Sequence, residues 1–224
     1  MTVLAPLHFD DAREAAALAA FLTRLVHYDR AAAVRLQAGG GALAVFGRPS
    51  SFEVLAVRTA RLADAVDLDV TVSAGELLDG VDEAAGKAAV PNAVTGPPWT
   101  GVLPPRAGWR PVAGLPSTAE MRGAVAAAVA EFRARDEELP EERRTRAERD
   151  LIGRAIWSRT LAPTGLPLRA VHAAQSLGFL PPAGAGETVA LFASGPWLRL
   201  RTPYGSIALR TVPTGLTVTP GLSG

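Results

Sequence analysis

The segment from residue 90 to residue 116 limits the possible folds of this chain more than any other stretch. It contains seven prolines and four glycines. Proline lacks a backbone donor and disfavours helical geometry in the residue before it, so no regular element is expected here. Because Trp99 and Trp109 are large apolar side chains that usually pack, we interpret residues 91–116 as a proline-rich ordered strap or linker. A less favoured alternative is a proline-rich ligand for an adaptor domain.

This segment separates two lobes with different patterns. Residues 1–90 predict a lobe in which one N-terminal helix lies on an antiparallel sheet, and residues 117–210 predict helices followed by a basic β-hairpin. Residues 211–224 consist largely of threonine, proline and glycine and predict a flexible tail. The fold class is therefore α+β, with helices and strands segregated along the chain. In an alternative arrangement the late strands complete the early sheet.

The N-terminal lobe shows one helical pattern and four strand patterns. Asp10 or Asp11 can cap the helix, whose apolar residues recur at intervals of three and four. Strands are predicted over residues 33–38, 42–47, 52–61 and 67–74. The three glycines between the first two favour a hairpin over a phosphate loop, because no Lys-Ser/Thr pair follows them. The third strand is apolar on both faces, which is typical of a central strand.

The C-terminal lobe shows three helical patterns before its hairpin. Ser117 and Glu120 have the spacing of a capping box and predict the first helix start. A charged helix is expected from Glu141, and a short helix from Pro167 to Gly178, because proline suits a first helical position and glycine a left-handed end. Strands are then predicted over residues 187–193, 197–202 and 206–211, with a turn between the last two.

The short helix and the hairpin carry the candidate binding residues. Helical spacing turns one side of the helix toward the core and leaves a polar side facing outward. Strand alternation separates the apolar hairpin residues from its arginines. The order of helix, turn, helix and hairpin is that of a winged helix-turn-helix, which contacts DNA with its second helix and its wing. The candidate nucleic-acid-binding residues are Arg169, His172, Gln175 and Ser176 on the helix and Arg199, Arg201 and Arg210 on the hairpin.

The charge distribution favours the same end of the chain. Residues 1–100 hold 8 basic and 12 acidic side chains, a balance of −4, whereas residues 101–224 hold 15 and 10, a balance of +5. From residue 151 onward there are six arginines and one acid, Glu187. Such segregation is typical of proteins that bind polyanions. Only Lys87 is a lysine, and we attribute this preference for arginine to the composition of a GC-rich, bacterial type of genome.

The composition argues against several other classes of protein. The absence of cysteine excludes disulfides, thiolate nucleophiles and cysteine-ligated metals. The histidines His8, His27 and His172 have no metal-binding spacing, and the common catalytic and nucleotide-binding motifs are missing. No run approaches the roughly 20 apolar residues that cross a bilayer, and the first residues do not resemble a secretory signal. We therefore predict a cytoplasmic protein with no catalytic residues, metal, cofactor or membrane partner.

Two functions are consistent with these patterns. The first is a non-enzymatic DNA-binding or regulatory protein that engages double-stranded DNA through its C-terminal, winged-helix-like lobe, while the N-terminal lobe dimerises or senses. The alternative is a protein–protein interaction or scaffold protein, whose apolar strands and strap bind another protein. An enzyme built on scattered carboxylates leaves no sequence motif and stays open as a third hypothesis.

Overall fold

The structure, a computed structural model, describes residues 5–97, 99, 103–182, 184 and 188–211. Its helices are α1 (Ala12–Tyr28), α2 (Ala74–Asp79), α3 (Thr118–Glu138), α4 (Arg146–Trp157) and α5 (Leu168–Ser176). Its strands are β1 (Leu7–His8), β2 (Ala33–Gly39), β3 (Ala42–Gly47), β4 (Leu55–Arg61), β5 (Leu68–Ser73), β6 (Val81–Asp82), β7 (Lys87–Ala88), β8 (Arg110–Val112), β9 (Thr160–Leu161), β10 (Leu166–Pro167), β11 (Ala190–Ser194), β12 (Trp197–Thr202) and β13 (Gly205–Arg210). Two short 3-10 turns cover Ser50–Phe52 and Glu141–Arg143.

One eight-stranded antiparallel sheet contains strands from both halves of the chain. Its order is β5-β2-β3-β4-β13-β12-β11-β8, and the halves join where Ser206 lies opposite Val57 and Ala208 opposite Leu55. The late strands therefore complete the early sheet. The α+β prediction is confirmed, with the N-terminal helix on an antiparallel sheet and a hairpin after the C-terminal helices. β4 lies in the middle of the sheet, as its two apolar faces predict.

The two faces of this sheet are covered by different parts of the chain. On one, the helix face, residues of α1, α3 and α5 share a buried core with the strand residues Leu200 and Ile207. On the other, the strap face, Trp99 packs with Leu55 and Trp197 in a separate apolar cluster. Trp99 Nε1 also donates a hydrogen bond to Thr71 Oγ1 at 3.0 Å. The expectation that the strap's tryptophans pack is confirmed, and the sheet is apolar on both sides at its centre.

The predicted ends of several elements are confirmed at the level of individual hydrogen bonds. Asp11 caps α1 by accepting from the backbone of Arg13. Ser117 and Glu120 form the predicted capping box, with Ser117 N donating to Glu120 Oε2 at 2.8 Å. Gly178 ends α5 in a left-handed conformation, with φ at +74°. The side-chain chemistry of caps is local, which is why these ends could be read from short sequence patterns.

Several predicted boundaries are wrong, and three of them have different causes. Residues 110–112 form β8 within the strap, because an edge strand tolerates a proline and β11 offers a free edge. α4 begins at Arg146 rather than at Glu141, since Thr145 accepts from the backbone of Glu148 and caps the helix there. The third strand begins at residue 55 rather than 52, because a 3-10 turn and Glu53, with φ at +52°, precede it.

Two predicted segments extend past the residues that the structure describes. Residues 212–224 of the predicted tail and Glu187 of the predicted strand are outside the described residues. The division into lobes at residues 1–90, 91–116 and 117–210 stays a prediction about folding units. What the structure adds is that the lobes share hydrogen bonds across β4 and β13.

Candidate nucleic-acid interface

Three of the candidate arginines lie together on the strap face of the hairpin. Alternation along β12 sends Arg199 and Arg201 to that face, and Leu198 and Leu200 to the core on the helix face. The register then determines the partners in β13. Arg199 lies opposite Ala208, Arg201 opposite Ser206, and Trp197 opposite Arg210. Arg210 therefore shares the face, and we call Arg199, Arg201 and Arg210 the arginine row.

Aromatic rings and a hydroxyl, rather than carboxylates, accompany the arginine row. The guanidinium of Arg199 lies 5.9 Å from the centre of the Trp109 ring, and that of Arg210 lies 5.9 Å from the Trp197 ring. Both separations suit a cation–π contact. Arg199 Nε donates a hydrogen bond to Ser206 Oγ at 3.1 Å.

The electrostatics of the row differ from those of the arginines that form ion pairs with the helices. Burial and the nearby positive charge of Arg201 lower the pKa of Arg199, so both effects oppose its charge. Among the described residues no carboxylate forms an ion pair with the row. In contrast, Arg149 pairs with Asp136 and Arg159 pairs with Glu131. The row therefore concentrates positive charge that the described part of the chain does not neutralise.

A groove opens beside two of these arginines on the strap face. Its volume is about 650 Å³, and strands β4, β11, β12 and β13 form its floor and walls. Its lining combines cations, hydroxyls and apolar side chains: Val57, Thr59, Thr188, Ala190, Phe192, Arg199, Arg201, Thr202, Pro203, Gly205 and Ser206. None of these lining residues is acidic. The groove is therefore suited to an anionic ligand with an apolar part.

The four candidate residues on α5 are half-buried rather than exposed. The ring of His172 stacks on Trp157, with centroids 4.2 Å apart, and meets Phe52 edge-on at 5.0 Å. Arg169 Nε lies 4.0 Å from a carboxylate oxygen of Glu53. The side-chain atoms Arg169 Nε and Gln175 Oε1 are buried without a hydrogen-bond partner among the described residues. These side chains are half-buried because the turn before β4 and helix α4 pack around α5. The periodicity of α5 alone does not reveal these neighbours.

The structure therefore does not bring the seven candidate residues together. α5 packs on the helix face of the sheet, in the same core as Ile207 and Leu209. The arginine row occupies the strap face, as Arg199 and Arg201 alternate with Leu198 and Leu200. A single ligand surface can include either the arginine row or the polar side of α5, but not both. The assignment of Arg169, His172, Gln175 and Ser176 as nucleic-acid contacts stays a prediction.

Sequence reasoning missed the neighbours that distinguish the arginine row. The sequence places Trp109 in the strap without indicating its partner, and it gives no reason to single out Phe192 or Ser206. The sequence signal was present as alternation, because Phe192 has the same parity as other strap-face residues of β11. The signal was insufficient because only the register, with Phe192 opposite Arg199, identifies which strands are neighbours.

The described residues offer no evidence for two other kinds of site. No group of three or more histidine, aspartate or glutamate side chains among them lies close enough to hold a metal ion. No helix within the same described ranges has both the length and the apolar character required to cross a membrane.

Comparison with known families divides the chain into two parts. Residues 3–101 match a family described as Domain of unknown function (DUF8010). Residues 104–214 match a second, Domain of unknown function (DUF8185). No curated protein and no solved structure matches the chain. The junction between the two matches falls inside the strap, whereas the sheet continues across it.

We predict that His172 makes the protein less stable in mild acid. Burial lowers the pKa of His172, so the unfolded chain takes up a proton more readily than the folded chain does. Stability is unaffected well above the unfolded pKa of about 6.5 and falls as the pH drops from there toward the lowered folded value. Urea denaturation at pH 8 and pH 5.5 measures this loss. His172→Gln should show a smaller loss than the unsubstituted protein, and equal losses would contradict the prediction.

Proposed function

We propose that this protein is a non-enzymatic nucleic-acid-binding protein, regulatory in role, that contacts phosphates through the arginine row. The observation that carries the proposal is the set of three arginines on one sheet face with no carboxylate partner among the described residues. Guanidinium groups bind phosphate oxygens with strong charge-assisted hydrogen bonds. The surplus of five positive charges in residues 101–224 supports the same assignment.

Helix α5 contributes less to the proposed binding than the arginine row does. A recognition helix must offer exposed side chains to base edges, and Arg169 and Gln175 are only half-buried neighbours of Glu53 and the core. The row alone accounts for phosphate contacts, which position a protein without reading sequence. Base contacts from Arg169 or Gln175 would add preference for particular sequences. A cytoplasmic setting stays a prediction.

The test is binding to fluorescein-labelled oligonucleotides, followed by fluorescence anisotropy from low to moderate salt. We expect affinity to fall with rising salt, because each neutralised phosphate releases counterions. Replacing Arg199, Arg201 or Arg210 by Gln should weaken binding to all sequences alike and lower the salt slope by about one unit per arginine. Arg154→Gln is the matched control, since Arg154 is an exposed arginine of α4 that is far from the row in the sequence.

Four outcomes of this test are informative. Absence of binding to single or double strands at low salt rejects the proposal, as does an equal effect of Arg154→Gln. A loss of about 1 to 3 kcal/mol on one preferred sequence after Arg169→Gln or Gln175→Ala would assign base contacts to α5. Unchanged binding by these two variants leaves the arginine row as the only contact surface proposed.

A protein–protein interaction is the second candidate function. Leu151 of α4 is 56% exposed, more than any other large apolar side chain among the described residues, and contact with another chain would bury this apolar surface. The partner can be another protein or a second copy of this chain. Analytical ultracentrifugation of the protein and of Leu151→Ser tests whether two copies of the chain associate through this residue. If they do, self-association should weaken in the variant.

A further inference from the structure

The position of the hairpin within the sheet limits which nucleic acid it can bind. β12 pairs with β11 on one side and β13 on the other, and β13 pairs in turn with β4. The major groove of a duplex admits a helix or a two-stranded ribbon. A wing that enters a groove must therefore project freely, whereas this hairpin is an internal part of an eight-stranded sheet. It can meet a duplex only as a broad surface.

The groove beside the arginines has the dimensions of a site for a smaller ligand. A volume of about 650 Å³ lies within the range of about 300–1,000 Å³ that is usual for pockets that hold one small molecule. The groove can therefore hold a short length of one strand but not a duplex. Arg199 and Arg201 are two residues apart on one strand face, about 7 Å in extended backbone. That spacing lets the two guanidiniums contact different phosphates of one backbone.

An aromatic ring lies in the same groove. Phe192 is directly across from Arg199 in the sheet and lines the groove with it. Its side chain is half-buried, and no other ring among the described residues stacks on it. Proteins that bind single strands combine a positive groove with aromatic rings on which unpaired bases stack. A base within a duplex is already stacked and does not present its face.

We infer that the groove lined by Arg199, Arg201 and Phe192 binds single-stranded nucleic acid. The arginines contact successive phosphates, Phe192 stacks on an unpaired base, and the exposed hydroxyl of Thr188 adds a hydrogen bond to the sugar–phosphate backbone of the strand. This inference rests on the proposed function and narrows it, because it names the strandedness of the ligand. It also assigns a role to Phe192 that the charge distribution alone does not.

The experiment compares one labelled strand in two forms, alone and annealed to its complement, by fluorescence anisotropy at the same low salt concentration. We expect the single strand to bind at least tenfold more tightly than the duplex. Inorganic polyphosphate serves as a competitor that carries the charge without bases, and it should displace the strand only at much higher phosphate concentration.

Two leucine variants separate stacking from folding. Phe192→Leu retains an apolar side chain but loses the aromatic face, so single-strand affinity should fall by about five- to tenfold or more. Phe132→Leu is the matched control, because Phe132 is a half-buried phenylalanine of α3 that packs with the core of the helix face. Its affinity for the strand should equal that of the unsubstituted protein. Equal denaturation midpoints of the two variants would show that the loss of affinity in Phe192→Leu does not come from unfolding.

The possible failures are distinguishable. Duplex binding as tight as single-strand binding, with dependence on Arg199 and Arg201, overturns this inference and leaves the proposed function intact. Equal competition by polyphosphate, together with no effect of Phe192→Leu, also overturns it, because the groove would then recognise charge alone. Absence of binding to either form of the oligonucleotide overturns the inference and the proposed function together.

Discussion

Replacement of Leu55 by Ala is expected to lower the free energy of unfolding by about 2–5 kcal/mol. Leu55 is 2% exposed and lies in β4, the strand at which the halves of the sheet meet. On the strap face it packs with Trp99 and Trp197. The cost combines the lost burial of the side chain with the cavity left behind, which the hydrogen-bonded sheet cannot easily close.

Urea denaturation measures this effect through the shift in the transition midpoint. Leu151→Ala is the matched control, because the same change at a 56% exposed helical position should alter stability by less than about 0.5 kcal/mol. An unchanged midpoint for Leu55→Ala would mean that the strap does not cover this part of the sheet in solution.

Phe179→Ala is expected to cost about 3–5 kcal/mol and to destabilise both halves of the chain together. Phe179 follows α5 and is 2% exposed. Its ring stacks on Phe21 of α1, with centroids 5.4 Å apart. The same ring lies so close to Gly205 that a Cβ there would fall 2.7 Å from it. One side chain thus connects the N-terminal helix, the C-terminal helix and the hairpin.

This variant also tests whether the predicted lobes fold independently. Tryptophan fluorescence and far-ultraviolet circular dichroism should report one coincident urea transition before and after the substitution, because the lobes share a core and a sheet. Phe179→Leu, which retains most of the apolar volume, should cost clearly less. Two separate transitions, of which only that of the C-terminal half shifts, would instead support lobes 1–90 and 117–210 as independent folding units.

The elements that could be predicted are those whose cause is local. α1 was found because Leu18 and Leu22 recur at helical spacing after a capping aspartate, and α3 because Ser117 and Glu120 satisfy each other's backbone donors. β12 was found with its exact length because apolar and basic residues alternate. In each case the residues that determine the structure lie within a few positions of one another.

The candidate site depended on contacts that no local pattern contains. The polar side of α5 was expected to be exposed, yet Phe52, more than a hundred residues earlier, lies against His172. Likewise, Trp109 reaches Arg199 only because the strap crosses the sheet. Periodicity predicts which side of a helix faces the core, but it does not predict whether another element covers the opposite side.

Local sequence patterns were sufficient to predict the α+β class, the caps of α1 and α3, the central character of β4 and the separation of Arg199 and Arg201 from their apolar neighbours. These follow from hydrogen bonding and alternation over short distances. Three features became evident only in the folded molecule: β13 joins β4, α5 and the arginine row occupy opposite faces of one sheet, and Phe192 lies beside Arg199. Strand pairing across more than a hundred residues depends on the packing of the whole core, and it is this pairing that assembles the groove.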